Sequence, residues 1–254
     1  MIKPKLHSSQ YIGMTETGDV AFDLSVFDRL YLGNIIITKR LTDKLIEKLI
    51  EHKDKVILHL TCTGMGGSKV EPFVPTVEQT YQKFCKLLEG GFPVNQVVLR
   101  IDPIVPTEKG MNTALKVIDI FFQNDHGIKR VRVSSMDMYP HVKERFEKAG
   151  FPIPYNSFHA PVSVRHEMVR VFERLGQEKG FIVEVCGEPD LPSTSCLSQK
   201  DIDILGLTDT IQLVGNAGQR GHCSCPGNKK QLIVGELHRC KNACEYCYLK
   251  GDAK

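Results

Sequence analysis

Tryptophan is absent from this chain, and net charge is scarce. The 254 residues carry 33 Lys and Arg against 30 Asp and Glu, a formal balance of +3. So small a surplus does not by itself argue for nucleic acid, and no basic stripe interleaved with aromatics offers a stacking platform. Long apolar runs are missing too. Nothing approaches the ~18 consecutive apolar residues of a membrane span, and the opening MIKPKLHSSQYIG lacks the apolar stretch of a signal peptide. The expectation is a cytoplasmic protein without membrane contact, where thiols stay reduced. Repeats, low-complexity tracts and domain-dividing linkers are also lacking. We therefore expect one domain over 1–254, long enough to bury a large single core.

Cysteine is what the chain has in quantity. There are nine, an odd number, and most lie in the last third. Odd count, clustering and a reducing compartment favour metal binding or catalysis over a disulfide framework. Residues 186–247 read as a cysteine-rich metal-binding region.

Elsewhere β-branched runs alternate with helical patterns. "NIIIT" (34–38) leads into a helix with Leu41, Leu45 and Leu49 on one face. "KVILHLTC" (55–62) is followed by a Gly/Pro loop and a helix opening at Thr76, where Thr76 and Gln79 form a capping box. "QVVLRIDP" (96–103) precedes a helix carrying Leu115, Ile118 and Phe122. "RVRVSSMDMYP" (130–140) precedes "HVKERFEKAG". "SVRHEMVRVFERLGQEKG" precedes the strand in "FIVEVCGEPDL" (181–191), and 210–215 and 231–237 are weaker strands. Such alternation predicts an α/β fold, a parallel sheet covered by helices and either open or closed into a TIM-like barrel, full or partial. Function then collects at the C-terminal strand tips, here TCTGMGG, RIDPIVP, SSMDMYP and CGEPDLP.

The chain ends on Cys240-x3-Cys244-x2-Cys247. Structural zinc sites pair two C-x2-C knuckles, and only one is present here. Three thiolates on one short loop suit three corners of a 4Fe–4S cluster, with the fourth iron left to another ligand. With the aromatic Tyr246 before the last cysteine, the motif resembles the signature of the radical SAM superfamily. The whole chain is similar to domain-of-unknown-function family eighteen forty-eight, through RIDPIV (100–105), SSMDMY (134–139), CGEPDL (186–191), CSC (223–225) and CKNACEYCY (240–248). That group carries the cluster signature at its C-terminus, looks circularly permuted, and is distantly likened to spore photoproduct lyase. Near the start, its usual paired arginines before Thr-Asp are replaced by TETGDVAF (15–22), which keeps Asp19.

The resemblance implies that Cys240, Cys244 and Cys247 hold a SAM-binding 4Fe–4S cluster, with Tyr246 beside the adenine. It implies reductive cleavage of S-adenosylmethionine to a 5′-deoxyadenosyl radical, and an electron donor such as flavodoxin or ferredoxin. A nucleic-acid lesion or modified nucleoside becomes one candidate substrate, a small molecule or peptide another. The alternative is a zinc-binding barrel, hydrolytic or structural, stapled by its C-terminal cysteines.

Cys186, Cys196, Cys223 and Cys225 come from three segments. They can form a second set around an auxiliary 4Fe–4S cluster or a zinc, or remain unrelated thiols. Cys85 reads as core, and Cys62 as core or pocket wall. Thr63, Gly66 and Gly67 follow a strand tip where backbone amides can approach SAM, or where a turn needs positive φ. Arg100 and Asp102 alternate with apolar residues on a buried strand, as a salt bridge or as a carboxylate-binding fork. Ser134, Ser135 and Asp137 can bind ribose hydroxyls or cap a turn, and Glu188 can act as an acid/base or sit in a loop. His222 and His238 flank cysteines. Lys129, Arg130 and Arg132 can touch phosphate or form a solvated strand entrance at the end opposite the site, and the second is expected.

Overall fold

Short β-branched runs form the frame, and three of them are followed by threonine-capped helices, Asp43–Glu51, Val77–Glu89 and Glu108–Phe121, that pack their apolar residues on the sheet's outer face. The computed structural model describes residues 8–217, 223–234 and 240–250. The strands are β1 (Ile12–Met14), β2 (Gly33–Thr38), β3 (Val56–Thr61), β4 (Val97–Ile104), β5 (Arg130–Ser135), β6 (Ile182–Val185) and β7 (Lys229–Gln231). They pair in the order β6-β5-β4-β3-β2-β1-β7, and every pairing is parallel. Among the described residues β6 and β7 are free edges. The sheet formed by the described residues is therefore open, and compatible with part of a TIM-like barrel. The chain's last strand lies beside its first, so the loops after β7 and β1 leave the same end of the sheet.

The helices are α1 (Asp43–Glu51), α2 (Val77–Glu89), α3 (Glu108–Phe121), α4 (Pro140–Lys148), α5 (Val162–Lys179) and α6 (Gln199–Ile204). Their starts are chemical. Thr42 accepts from Leu45 N at 3.2 Å, and Thr107 from Gly110 N at 3.1 Å. Thr76 and Gln79 close a capping box with bonds of 3.3 and 3.0 Å. Each satisfies helix N–H groups that would otherwise lack partners. Gly180 ends α5 at φ 78°, a conformation open to glycine at little cost. In α3 the buried stripe is Ala114, Val117, Ile118 and Phe121; Leu115 and Phe122 are only partly buried.

The two faces of the sheet differ in chemistry. Outward residues such as Ile36, Leu58, Leu60, Leu99, Val131 and Val133 join the helices in one apolar core. Each such side chain contributes ~1.5–3 kcal/mol on burial. The inner face begins apolar, with Ile12, Ile35, Ile57 and Val98 packed under Ile202 of α6 and the segment around Ile211. Toward the strand tips it turns polar. One register row places Thr61, Arg100, Arg132 and Glu184 side by side across β3 to β6.

Three expectations need correction. Arg130 and Arg132 are not solvated: they are 1% and 0% exposed. Glu184 accepts from Arg130 Nε at 2.6 Å and also from Arg132, while Asp201 of α6 takes Arg130 Nη1 at 2.7 Å. Burying these cations is tolerable because each has a carboxylate partner. Residues 210–215 form no strand. Their backbone is held by Asn228, which accepts from Val214 N at 2.7 Å and donates to Gln212 O at 2.9 Å, in place of a ladder. The predicted 231–237 strand is Lys229–Gln231, displaced toward the N-terminus, and 235–239 lie outside the described residues. No described helix is long and apolar enough to cross a membrane.

Candidate metal centre

At the C-terminal end of the sheet lies a cavity of about 470 Å³, and seven of the nine cysteines line it. Cys240, Cys244 and Cys247 come from the terminal loop. Cys186 comes from the end of β6, Cys196 from the loop before α6, and Cys223 and Cys225 from the segment before β7. Both cysteine groups expected from sequence thus meet in one space.

The terminal loop is fastened from every side. Asn242 donates to Asp19 Oδ2 at 2.7 Å, and Glu245 N donates to Val70 O at 3.0 Å. Arg145 of α4 donates to three backbone carbonyls, those of Glu245 at 2.9 Å, Cys247 at 2.6 Å and Lys250 at 2.8 Å. Tyr139 and Tyr248 stack with centroids 5.3 Å apart. Ala243 takes φ 52°, the left-handed turn between Cys240 and Cys244. With the loop backbone held by neighbours, its three thiols are left to the cavity. Burial pushes the Cys244 thiol up to about 12, partly offset by the Lys39 ammonium, and burial raises Cys240 too. Such thiols stay protonated until a metal displaces the proton.

Tyr246 anchors this loop to a carboxylate that sequence reading missed. Glu71, with its side chain fully buried, accepts from the Tyr246 hydroxyl, from Thr63 Oγ1 at 2.6 Å and from Lys39 Nζ at 3.1 Å. Lys39 sits 5.4 Å from the Tyr246 ring centroid. Burial alone would lower the Lys39 pKa, but Glu71 and Cys244 hold it above its ordinary value. Lys39 directly follows a strand tip, and that placement was its one legible signal.

The second group is tighter. Cys186 Sγ and Cys196 Sγ are 3.6 Å apart, and Cys196 N donates to Cys225 Sγ at 3.3 Å. The donor atoms of Glu16, Cys196 and Cys225 all lie within 4.8 Å of one another. Hydrogen bonds from Cys186 and Cys225 hold the Cys196 pKa well below its ordinary value, with Arg132 and Arg100 adding attraction. Glu16 was not anticipated. Lys229 holds it through both oxygens, at 3.1 and 2.8 Å.

The remaining predicted residues divide into two sets. Arg100 and Asp102 line the cavity and bind each other, Nε to Oδ2 at 2.9 Å. Ser134, Ser135 and Asp137 also line it; Asp137 meets His159 Nδ1 at 2.8 Å. Glu188 lies behind that wall, accepting from Ser135 N at 2.6 Å with Arg165 3.7 Å away. Thr63, Gly66 and Gly67 are not among the lining residues. Thr63 serves Glu71, and Gly66 lies so close to Pro75 O that a Cβ would stand 1.9 Å from it. Cys62 belongs to the outer core, and Cys85 packs partly buried against it, 3.8 Å from His126. His222 and His238 lie outside the described residues.

Fold and site together define a parallel α/β protein with a cysteine-lined cavity at its strand tips. The family model described as Domain of unknown function (DUF1848) matches residues 32–249. The chain belongs to that family. No curated protein matches the chain. The matched stretch begins just before β2, so β1, Glu16 and Asp19 stand outside it.

Proposed function

We propose that this protein is a radical SAM enzyme whose 4Fe–4S cluster is held by Cys240, Cys244 and Cys247, with a second metal centre at the inner cysteines. The observation that carries the reading is the convergence of three loop thiols on a strand-tip cavity, within a loop whose backbone the rest of the fold has fixed. Held by these three cysteines and reduced by one electron, such a cluster would supply that electron to S-adenosylmethionine, breaking its sulfonium C–S bond to give methionine and a 5′-deoxyadenosyl radical. The protein's own share is placement and exclusion. Its cavity of about 470 Å³ is of small-molecule size. Arg100 and Lys39, each paired with a carboxylate of its own, bring cationic groups to the lining, and Ser134, Ser135 and Asp137 bring hydroxyl-binding groups from the strand tip beside that of Arg100. Tyr246 forms part of the lining beside the cluster loop.

The spatial order β7-β1-β2 supports the permuted arrangement, because the terminal loop occupies the place that a loop after a first strand would hold. A reducing partner, flavodoxin or ferredoxin, follows from the chemistry. The substrate on this reading is a small molecule or single nucleoside able to enter the cavity, rather than a duplex.

The test is anaerobic reconstitution with iron and sulfide, then reduction in the presence of S-adenosylmethionine. Formation of 5′-deoxyadenosine by the native chain, and none by Cys244→Ala, supports the reading. A native chain that takes up no cluster, or one indifferent to S-adenosylmethionine, overturns it.

A further inference from the structure

The two cysteine groups in the cavity differ in scale. Thiolates on separate corners of an iron–sulfur cube are spread apart, because each binds its own iron. Thiolates sharing one tetrahedral zinc at about 2.3 Å lie about 3.8 Å apart. Cys186 and Cys196 stand 3.6 Å apart, and Glu16, Cys196 and Cys225 close to within 4.8 Å. Among the described residues Glu16, Cys196 and Cys225 are the one donor group that closes to the size of a single ion; Cys186 adjoins it through Cys196, and the terminal trio is not part of it.

We propose that Cys186, Cys196, Cys225 and Glu16 form a single-ion site for a zinc-like divalent cation, in which Glu16, rather than Cys223, is the fourth donor. Three observations converge on it. First, the donor set is mixed sulfur and oxygen, the chemistry of a borderline metal that accepts both. Second, the donors arrive from four places in the fold: the segment after β1, the tip of β6, the loop before α6 and the segment before β7. One ion would therefore pin together the two ends of an open sheet, whose edges β6 and β7 are not paired. Third, three thiolates and a carboxylate leave two negative charges beyond those a divalent ion offsets, and Arg100, Arg132 and Lys229 interact electrostatically with these thiols alongside their own partners Asp102, Glu184 and Glu16. Lys229 also fixes the Glu16 carboxylate, a neighbour's role that orients a ligand. Cys223, though in the cavity lining, belongs neither to the close trio nor to the 3.6 Å Cys186–Cys196 pair.

This deepens the reading of the cavity as a metal pocket, and it is tested where the terminal cluster cannot interfere. The full-length chain carrying Cys240→Ala, Cys244→Ala and Cys247→Ala together is loaded anaerobically with Zn(II) and, separately, with Co(II) or with iron and sulfide. The expected result is one Zn(II) per chain, and Co(II) spectra with thiolate charge-transfer bands and the intense visible bands of tetrahedral coordination. In that background Glu16→Gln weakens Zn(II) binding at least tenfold and shifts the visible Co(II) bands, whereas Cys223→Ser leaves both unchanged. Cys196→Ser abolishes binding, with circular dichroism confirming that each variant folds. Uptake of about four irons with acid-labile sulfide in place of one ion overturns the proposal. So does a Cys223→Ser loss equal to that of Glu16→Gln. Failure of S-adenosylmethionine cleavage in the native chain leaves this result untouched, so the two readings fall separately.

Discussion

Asn242 donates its side-chain amide to the Asp19 carboxylate at 2.7 Å, and both residues are buried. That bond spans nearly the whole chain and fastens the terminal cysteine loop to the segment after β1. The same carboxylate also accepts from Thr38 Oγ1 at 2.5 Å, Lys39 N at 2.9 Å and Ala21 N at 3.1 Å, so the anchor point is itself held rigidly.

Asn242→Ala removes the hydrogen bond to the Asp19 carboxylate, worth about 2 kcal/mol, and a long one accepted from Arg40 Nη2 at 3.4 Å. We expect that loss in urea unfolding, together with lower iron retention after reconstitution and desalting. Lys241→Ala, next door and exposed, should change neither. Equal iron retention in the two variants would show that the tether does not hold the loop.

The buried quartet Arg130, Arg132, Glu184 and Asp201 predicts a pH effect. Burial alone would raise the Glu184 pKa, but Arg132 and Arg130 pull it below its ordinary 4.5. A carboxyl depressed by folding stabilises above its unfolded pKa, and this contribution is lost as pH falls through the folded value. Glu184→Gln should cost about 3 kcal/mol at neutral pH, because buried Arg132 loses its carboxylate partner and Arg130 loses one of two. The gap between native and variant should then narrow below pH 4.5. A gap constant with pH would refute the charge argument.

How much of this was legible depends on range. The capping box at Thr76 and Gln79, the helix after β2 and the central strands are local, so their residues announced them. The terminal cysteines were legible by spacing alone. β1 has three residues and no β-branched run, and it exists because β2 and β7 flank it. RVRV at 130–133 reads as alternation, but which side faces water depends on α6, some seventy residues later, closing over the arginines. Glu16 sits among Thr and Gly with no pattern around it; only the return of β7 beside β1 brings cysteines to it. Glu71 and Lys39 likewise meet across a loop that no periodicity describes.

His59 lies on the inner face of β3, fully buried, and neither ring nitrogen has a hydrogen-bond partner among the described residues. Burial, with Arg132 adding repulsion, holds its pKa well below the ordinary 6.5. A histidine kept neutral by folding stabilises above the unfolded pKa, and stability falls as pH drops below it, because only the unfolded chain takes the proton. Below pH 6.5 this residue should remove about 1.4 kcal/mol per pH unit. His59→Leu should flatten that slope and lose little at neutral pH, since it removes two unbonded polar atoms. An unchanged slope would mean that His59 does not titrate as described.

Lys39 and Glu71 should behave as one unit. Glu71 is sealed from solvent, whereas the Lys39 side chain keeps 17% exposure toward the cavity. Lys39→Met leaves a buried carboxylate held only by the Thr63 and Tyr246 hydroxyls, which should cost about 3 kcal/mol. Glu71→Gln keeps the shape and removes the charge, so the double variant should be more stable than Lys39→Met alone. A double-mutant cycle in urea should return a coupling of about 2 kcal/mol. The linkage reaches the terminal cysteine loop through Tyr246. Lys39→Met should therefore also slow cluster assembly on the terminal cysteines, and Glu71→Gln in the same chain should restore it. Independent, additive effects on stability would instead assign Lys39 to the cavity and leave Glu71 to hold Tyr246 unaided.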